Sequence, residues 1–439
     1  MSKWTASFTL LSGLLFVMAA CNAPGELPVP LGAASASPLP PTAAATAQPT
    51  RPPTATPTSV PGGMAIVGPV ETVFDWSAER CAYEDIPDLP ARAFRDADGT
   101  VQLISSHLLG RRWTGAELDQ VTHDCTVVLG SDHQADPSLF NDNEWLYAPY
   151  TEDGTTIWML IHNEYHGWEH SADCQPPLHF ACWYNAITLA VSHDGGLTYQ
   201  DAAPPPAHLV ASLPDVYIAN AGPYGVMSGT NIVKKDDDYY AFVRIDATNT
   251  DHQRQCLMRT DDLSRPDSWR AWDGDEFTIA WRDPYQMDES ERGGVPCAAV
   301  SEPTLGIVSS SLHYNTFLEQ YVLLGESTVH RDGQDIWGII YATSTDLIHW
   351  SNRYLLTAAE LPWTYQPGDD NYILYPSLLD PDSNSRNFET ADEQAYVYFT
   401  RFNRPGVEPL DRDLVRVPVA FFKTVEEAEA AAVPFQVQP

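Results

Sequence analysis

Cys297–Glu326 reads CAAVSEPTLGIVSSSLHYNTFLEQYVLLGE, and this stretch decides the fold. Two apolar runs, Thr304–Ser311 and Gln320–Gly325, flank a short polar turn, a pattern that predicts a pair of antiparallel strands. Glu302 stands before Pro303 at the entrance to the first run. The same grammar recurs in Pro90–Phe94 with Val101–Ser106, Trp145–Tyr150 with Thr156–His162, Thr230–Lys234 with Tyr239–Ile245, and Ile373–Leu379 with Ala395–Arg401. Gly- and Asp-rich turns separate most of these pairs.

A third strand follows three of the pairs and ends in Ser/Thr-x-Asp and an aromatic. The instances are Ser192-His193-Asp194 leading to Tyr199, Thr260-Asp261-Asp262 leading to Trp269, and Ser344-Thr345-Asp346 leading to Trp350. An aspartate there accepts backbone N–H bonds while the aromatic packs the hairpin, so these acids read as structural. Five repeats of strand pairs predict an all-β chain folded as a five-bladed β-propeller, with a six-bladed, sialidase-like propeller as the alternative. Ile66–Trp76 is placed to complete the last blade and close the ring. Only Val425–Ala432 reads as a helix.

Upstream, residues 1–21 read as an export signal: Lys3, an apolar Phe8–Val17, then Met18-Ala19-Ala20-Cys21. Residues 22–63 are Pro-, Ala- and Thr-rich with little to bury, a tether to a single domain over 64–439. The six remaining cysteines allow fifteen connectivities. The expectation is Cys81–Cys125, Cys174–Cys182 and Cys256–Cys297, each closing a local loop. A net charge of −35 argues against nucleic acid and against adhesion to anionic lipid.

The segment before Cys21 resembles a bacterial lipobox, which implies cleavage, lipidation of the Cys21 thiol and a place at the cell surface, with the membrane reached by lipid anchor alone. Ser192–Tyr199 resembles the Asp-box of sialidases and other propellers, with Tyr199 for the usual tryptophan. The repeat, the Ser344–Trp350 turn and Glu302-Pro303 together resemble the five-bladed glycoside hydrolase clan of arabinanases, β-xylosidases and fructosidases. That resemblance implies a carbohydrate substrate, Glu302 as general acid and Asp88 as base or nucleophile. The clan's aspartate directly precedes a proline, whereas Leu89 intervenes here. Asp283, in Arg282-Asp283-Pro284, matches a fructosidase tripeptide but reads as a loop acid.

Glycoside hydrolysis needs one protonated and one ionised carboxyl group, which a propeller funnel supplies from different blades. The inner-strand ends offer Asp88 and Arg92, then His162, Asn163, Glu164 and His166 with Trp168 for stacking, then Arg244 and Asp246, Glu302 and Glu326, and Arg401 and Asn403. Glu164, flanked by two imidazoles, is the other candidate for base or nucleophile. Convergence of Arg92, Arg244 and Arg401 would suit an acidic sugar. A non-catalytic glycan- or protein-binding propeller is the competing class. A monomer without cofactor is expected, with room left for a structural Ca²⁺ in the funnel.

Overall fold

The computed structural model describes residues 60–174, 179–247, 252–301, 304–366, 371–404 and 407–436. Cys21 and Glu302 lie outside them. Among the described residues the regular structure is mostly strand, with three short α-helices and long stretches of turn between them. Among the described residues the strands pair into four sheets, largely antiparallel, and the eleven-stranded one divides at a parallel contact into two units.

The first blade pairs Arg92–Arg95 with Val101–Ile104 and continues through Leu109–Gly115 and Thr122–Gly130. The second runs Asn143–Tyr150, Ile157–His166 and Trp183–Ser192, edged by Gln200–Asp201 and Leu209–Ala211. The third is built on Asp238–Asp246 and Arg254–Thr260, with Tyr224–Met227 and Val233–Lys235 inside. The fourth runs Ser311–Asn315, Gln320–Arg331, Gln334–Ser344 and Tyr354–Ala358. The fifth takes Tyr372–Leu379, Gln394–Arg404 and Glu408–Phe422, and its outer positions are filled by Gly63–Ile66 and Glu71–Phe74 from the other end of the chain. The units are blades of a β-propeller, and the two ends of the domain share one sheet.

Blades join by short parallel contacts. Tyr224 and Gly225 pair with Tyr184 and Asn185, fusing blades two and three. Gly225 has φ +130°, and a Cβ there would lie 2.2 Å from the Asn185 carbonyl oxygen, so this approach requires glycine. The alternation of each inner strand buries one face against its neighbour blade, forming continuous apolar clusters between sheets.

The acidic turns are structural. Asp194 accepts from the backbone of Leu197 and Thr198, and Asp346 from Ile348 and His349. Tyr199, Trp269 and Trp350 are buried behind these turns. The three disulfides are Cys81–Cys125, Cys174–Cys182 and Cys256–Cys297, as expected.

Cys297–Glu326 departs from the expected strand pair at its first half. Thr304–Ser310 is not a strand; the first strand of blade four begins at Ser311. Leu305 and Val308 are buried in the lead-in itself, and Gly306 at φ +61° bends it away from a ladder. The run is apolar because it plugs the blade's end, not because it pairs. Glu302 therefore does not directly precede an inner strand, which starts nine residues later at Ser311.

Candidate active site

The inner ends of all five blades surround one cavity of about 420 Å³. Its walls carry Asp88, His107, Trp145, His162, Glu164, His166, Arg244, Asp246, Glu326 and Tyr375. Trp168, Phe180 and Trp183 stand on one side of its mouth, and Trp363 is a further aromatic of its lining.

Blade two supplies the densest group. Strand alternation over Ile157–His166 puts His162, Glu164 and His166 on one face. The Glu164 carboxylate accepts from His162 Nε2 at 2.8 Å and from His166 Nε2 at 2.9 Å. Burial opposes its ionisation, but the two imidazoles outweigh that and hold Glu164 down at about 2. His162 Nδ1 accepts from Ser228 N, so His162 is the neutral tautomer donating through Nε2. His166 places its second nitrogen 3.2 Å from Glu169 Oε1. Burial works against its charge, yet the two carboxylates raise it above the usual imidazole value. Its ring stacks on Trp168, centroids 4.1 Å apart.

Blade four supplies Glu326. Ser310 Oγ donates to its Oε2 at 2.6 Å and Tyr375 N to its Oε1. Gly325 makes the first contact geometrically feasible, since a Cβ there would come within 2.9 Å of Ser309 N. Burial dominates over these hydrogen bonds and pushes Glu326 above the ordinary carboxylate range. Blade five delivers Tyr375 through a bulge: the register shifts between Leu374 and Ser377, and Tyr375 has φ +62°. Burial raises its phenol, and the fields of Asp88, Glu164 and Glu326 act in the same direction.

Asp88 enters from the approach to blade one. Arg412 contacts its Oδ1, and His107 Nε2 lies 3.6 Å from its Oδ2. Arg244 and Asp246, two apart on one strand, form an ion pair of 2.9 Å at the wall of blade three.

Four expected site residues do not line the cavity. Arg92 lies beneath it, 2% exposed, donating to Ser377 Oγ and to the carbonyls of Gly229 and Ser310. It ties blade one to blades three, four and five; burial lowers it to about 9. Asn163 alternates to the opposite strand face and donates to Asn143 O. Arg401 and Asn403 lie off the cavity in blade five, where both bind the buried Asp413 and Asn403 also binds Asp411. Three arginines therefore do not converge, and the acidic-sugar reading loses its basis. Asp283 caps a 3₁₀ turn by accepting from Tyr285 N. Sequence reasoning missed Tyr375, His107, Trp145 and Arg412. Pro376 inside an inner strand is the one signal that could have found the bulge at Tyr375.

No protein-family model matches the chain, and no curated protein matches it. Among solved structures it is similar to the catalytic domain of a GH62 α-L-arabinofuranosidase of Coprinopsis cinerea, at 9% identity and TM-score 0.41, covering 83% of this chain and 98% of that one. It is also similar to a Cellvibrio cellulosa α-L-arabinanase complexed with arabinohexaose, at 11% identity and TM-score 0.42, covering 80% and 99%. A thermostable family-43 glycoside hydrolase aligns at 11% identity and TM-score 0.40, covering 76% and 88%. Likeness this loose transfers neither activity nor residue roles, and the chemistry of the cavity has to stand on its own geometry.

Proposed function

We propose that the protein is a glycoside hydrolase working in this cavity, with Glu326 as general acid and Asp88 as base or nucleophile. One observation carries the reading: a single aromatic-lined cavity gathers carboxylates from four blades, with Glu326 pushed toward its protonated form and Glu164 held ionised. Glu326 gives its proton to the departing glycosidic oxygen. Asp88 either takes a proton from the attacking water or attacks the anomeric carbon itself. Glu164 has both oxygens taken by imidazoles, so it orients His162 and His166 rather than reacting. Trp168 and Trp363 offer the flat apolar faces that sugar rings stack on.

We also infer export and lipid anchoring through Cys21. Support comes from the apolar leader with its small residues before the cysteine, and from three disulfides, which persist in oxidising compartments.

The test is Glu326→Gln against a polysaccharide panel including arabinan and xylan. Sugar release should fall about 10²–10⁴-fold, while turnover of an aryl glycoside with an acidic phenol leaving group, which needs no proton, should survive. Asp88→Asn should lose both. Equal loss on both substrates in Glu326→Gln would remove it as the acid. Glycan binding without any sugar release by the wild-type protein would favour the non-catalytic reading.

A further inference from the structure

We propose that Trp337 and Trp363 form an outer sugar-binding subsite beside the central cavity, on the side where the leaving part of a glycan departs. The inference rests on the reading of Glu326 as general acid and adds the form of the substrate: a chain of several sugars, not one sugar on a small aglycone.

The hairpin of blade four carries the argument. Ser311 pairs with Leu324, so the inner strand begins there, and Gly325–Arg331 runs on past it, paired along 334–340. Asp332-Gly333 closes the hairpin in two residues. Glu326 lies opposite Ile339, and Thr328 opposite Trp337. Residues opposite one another share a face, and so do residues two apart on one strand. Trp337 therefore stands on the face that presents Glu326 to the cavity, about 7 Å further out along the hairpin.

Trp363 joins the two. It lines the cavity, and its ring centroid lies 5.9 Å from that of Trp337, with the planes at 73°. The connection that carries it is fixed on both sides: Ala359 N donates to Trp337 O at 3.2 Å, and Leu361 is fully buried. Exposure separates this pair from the structural tryptophans. Trp337 is 36% exposed and Trp363 51%, whereas Trp269 and Trp350, which pack blade turns, are 1% and 7%. Two adjacent rings left open to water beside a cavity mark a binding surface. The occupant is a glycan because the pair continues a wall of hydrogen-bonding groups, Glu326, Arg244 and Asp246 among them, that suits hydroxyls. A general acid protonates the oxygen that leaves, so a platform on its own sheet face lies along the departing chain.

The experiment is titration calorimetry of the Glu326→Gln chain with arabinobiose, arabinohexaose, xylobiose and xylohexaose, beside kinetics of the otherwise wild-type chain on the same four sugars. One hexasaccharide should bind about 10-fold or more tighter than its disaccharide. Adding Trp337→Ala should weaken that hexasaccharide about 3–10-fold, lower its kcat/KM by the same factor, and leave the disaccharide at its original affinity. Trp337→Tyr, which keeps an aromatic face, should recover most of the loss. If Trp337→Ala does not fold, Trp337→Thr, matched to Thr328 across the hairpin, takes its place. Equal weakening of disaccharide and hexasaccharide, no weakening, or an affinity that does not rise with chain length overturns the outer subsite. Hexasaccharide binding that weakens in Trp337→Ala while the wild-type chain cleaves none of the four overturns the catalytic reading instead, and keeps Trp337 as a glycan contact.

Discussion

Glu164→Gln tests the buried His–Glu–His group directly, because the mutation keeps the shape and removes the charge. In the folded chain Glu164 falls from its ordinary 4.5 to about 2, burial opposing ionisation and the hydrogen bonds of His162 and His166 prevailing. That difference is worth about 3 kcal/mol at neutral pH by linkage. The sign follows from the direction. A lowered carboxylate contributes fully above its unfolded value of 4.5 and loses the contribution as pH falls through about 2. At pH 3 only about 1 kcal/mol of it is left. His166 runs the opposite way: its raised imidazole contributes fully below 6.5 and loses that as pH rises through the folded-state value. The pair therefore stabilises most between 4.5 and 6.5. Urea unfolding followed by tryptophan fluorescence should show Glu164→Gln costing about 3 kcal/mol at pH 6 and about 1 kcal/mol at pH 3. A cost that is the same at both pH values would refute the reasoning, because it would trace the loss to packing rather than charge.

Other outcomes follow from the same structure. Arg92→Ala leaves the Gly229 and Ser310 carbonyls without their donor beneath the cavity, and should destabilise by about 2–4 kcal/mol in urea unfolding. Arg92 does not line the cavity, so glycan affinity of the folded fraction should stay at the wild-type value. Replacing Cys256 and Cys297 with serine opens a loop with sequence separation 41 and should cost about 4 kcal/mol, read from the urea midpoint. Trp168→Ala and Trp363→Ala should each weaken oligosaccharide binding about 3–10-fold in titration calorimetry, with little change in Tm for the half-exposed Trp363.

The strand pairs were legible because alternation and turn chemistry are local. Asp96–Gly99, Glu152–Gly154 and Asp236–Asp238 mark hairpins whose strands lie within a few residues of where apolar periodicity puts them. Ring closure was legible too, since Glu71–Phe74 has strand character but no neighbour in sequence to pair with. Thr304–Ser310 failed for a physical reason: periodicity cannot separate a short run that pairs from one that plugs. Leu305 and Val308 are as buried as any strand residue.

The site was legible as a set of positions and illegible as a set of roles. Inner-strand ends converge by topology, so Asp88, Glu164, Arg244 and Glu326 could be gathered from pattern alone. Which carboxylate holds a proton depends on contacts between blades. Glu326 takes one hydrogen bond from the lead-in of its own blade and one from Tyr375 on the next, and burial still prevails. Glu164 meets two imidazoles of its own strand, and ionisation prevails. Asp88 pairs with Arg412 across nearly the whole domain, a partner no local motif could name. The strand face on which a residue falls then separates wall from scaffold: Asn163 lies between His162 and Glu164 in sequence and points away from both. In a propeller the blade repeat selects the candidates, and the packing between blades assigns their chemistry.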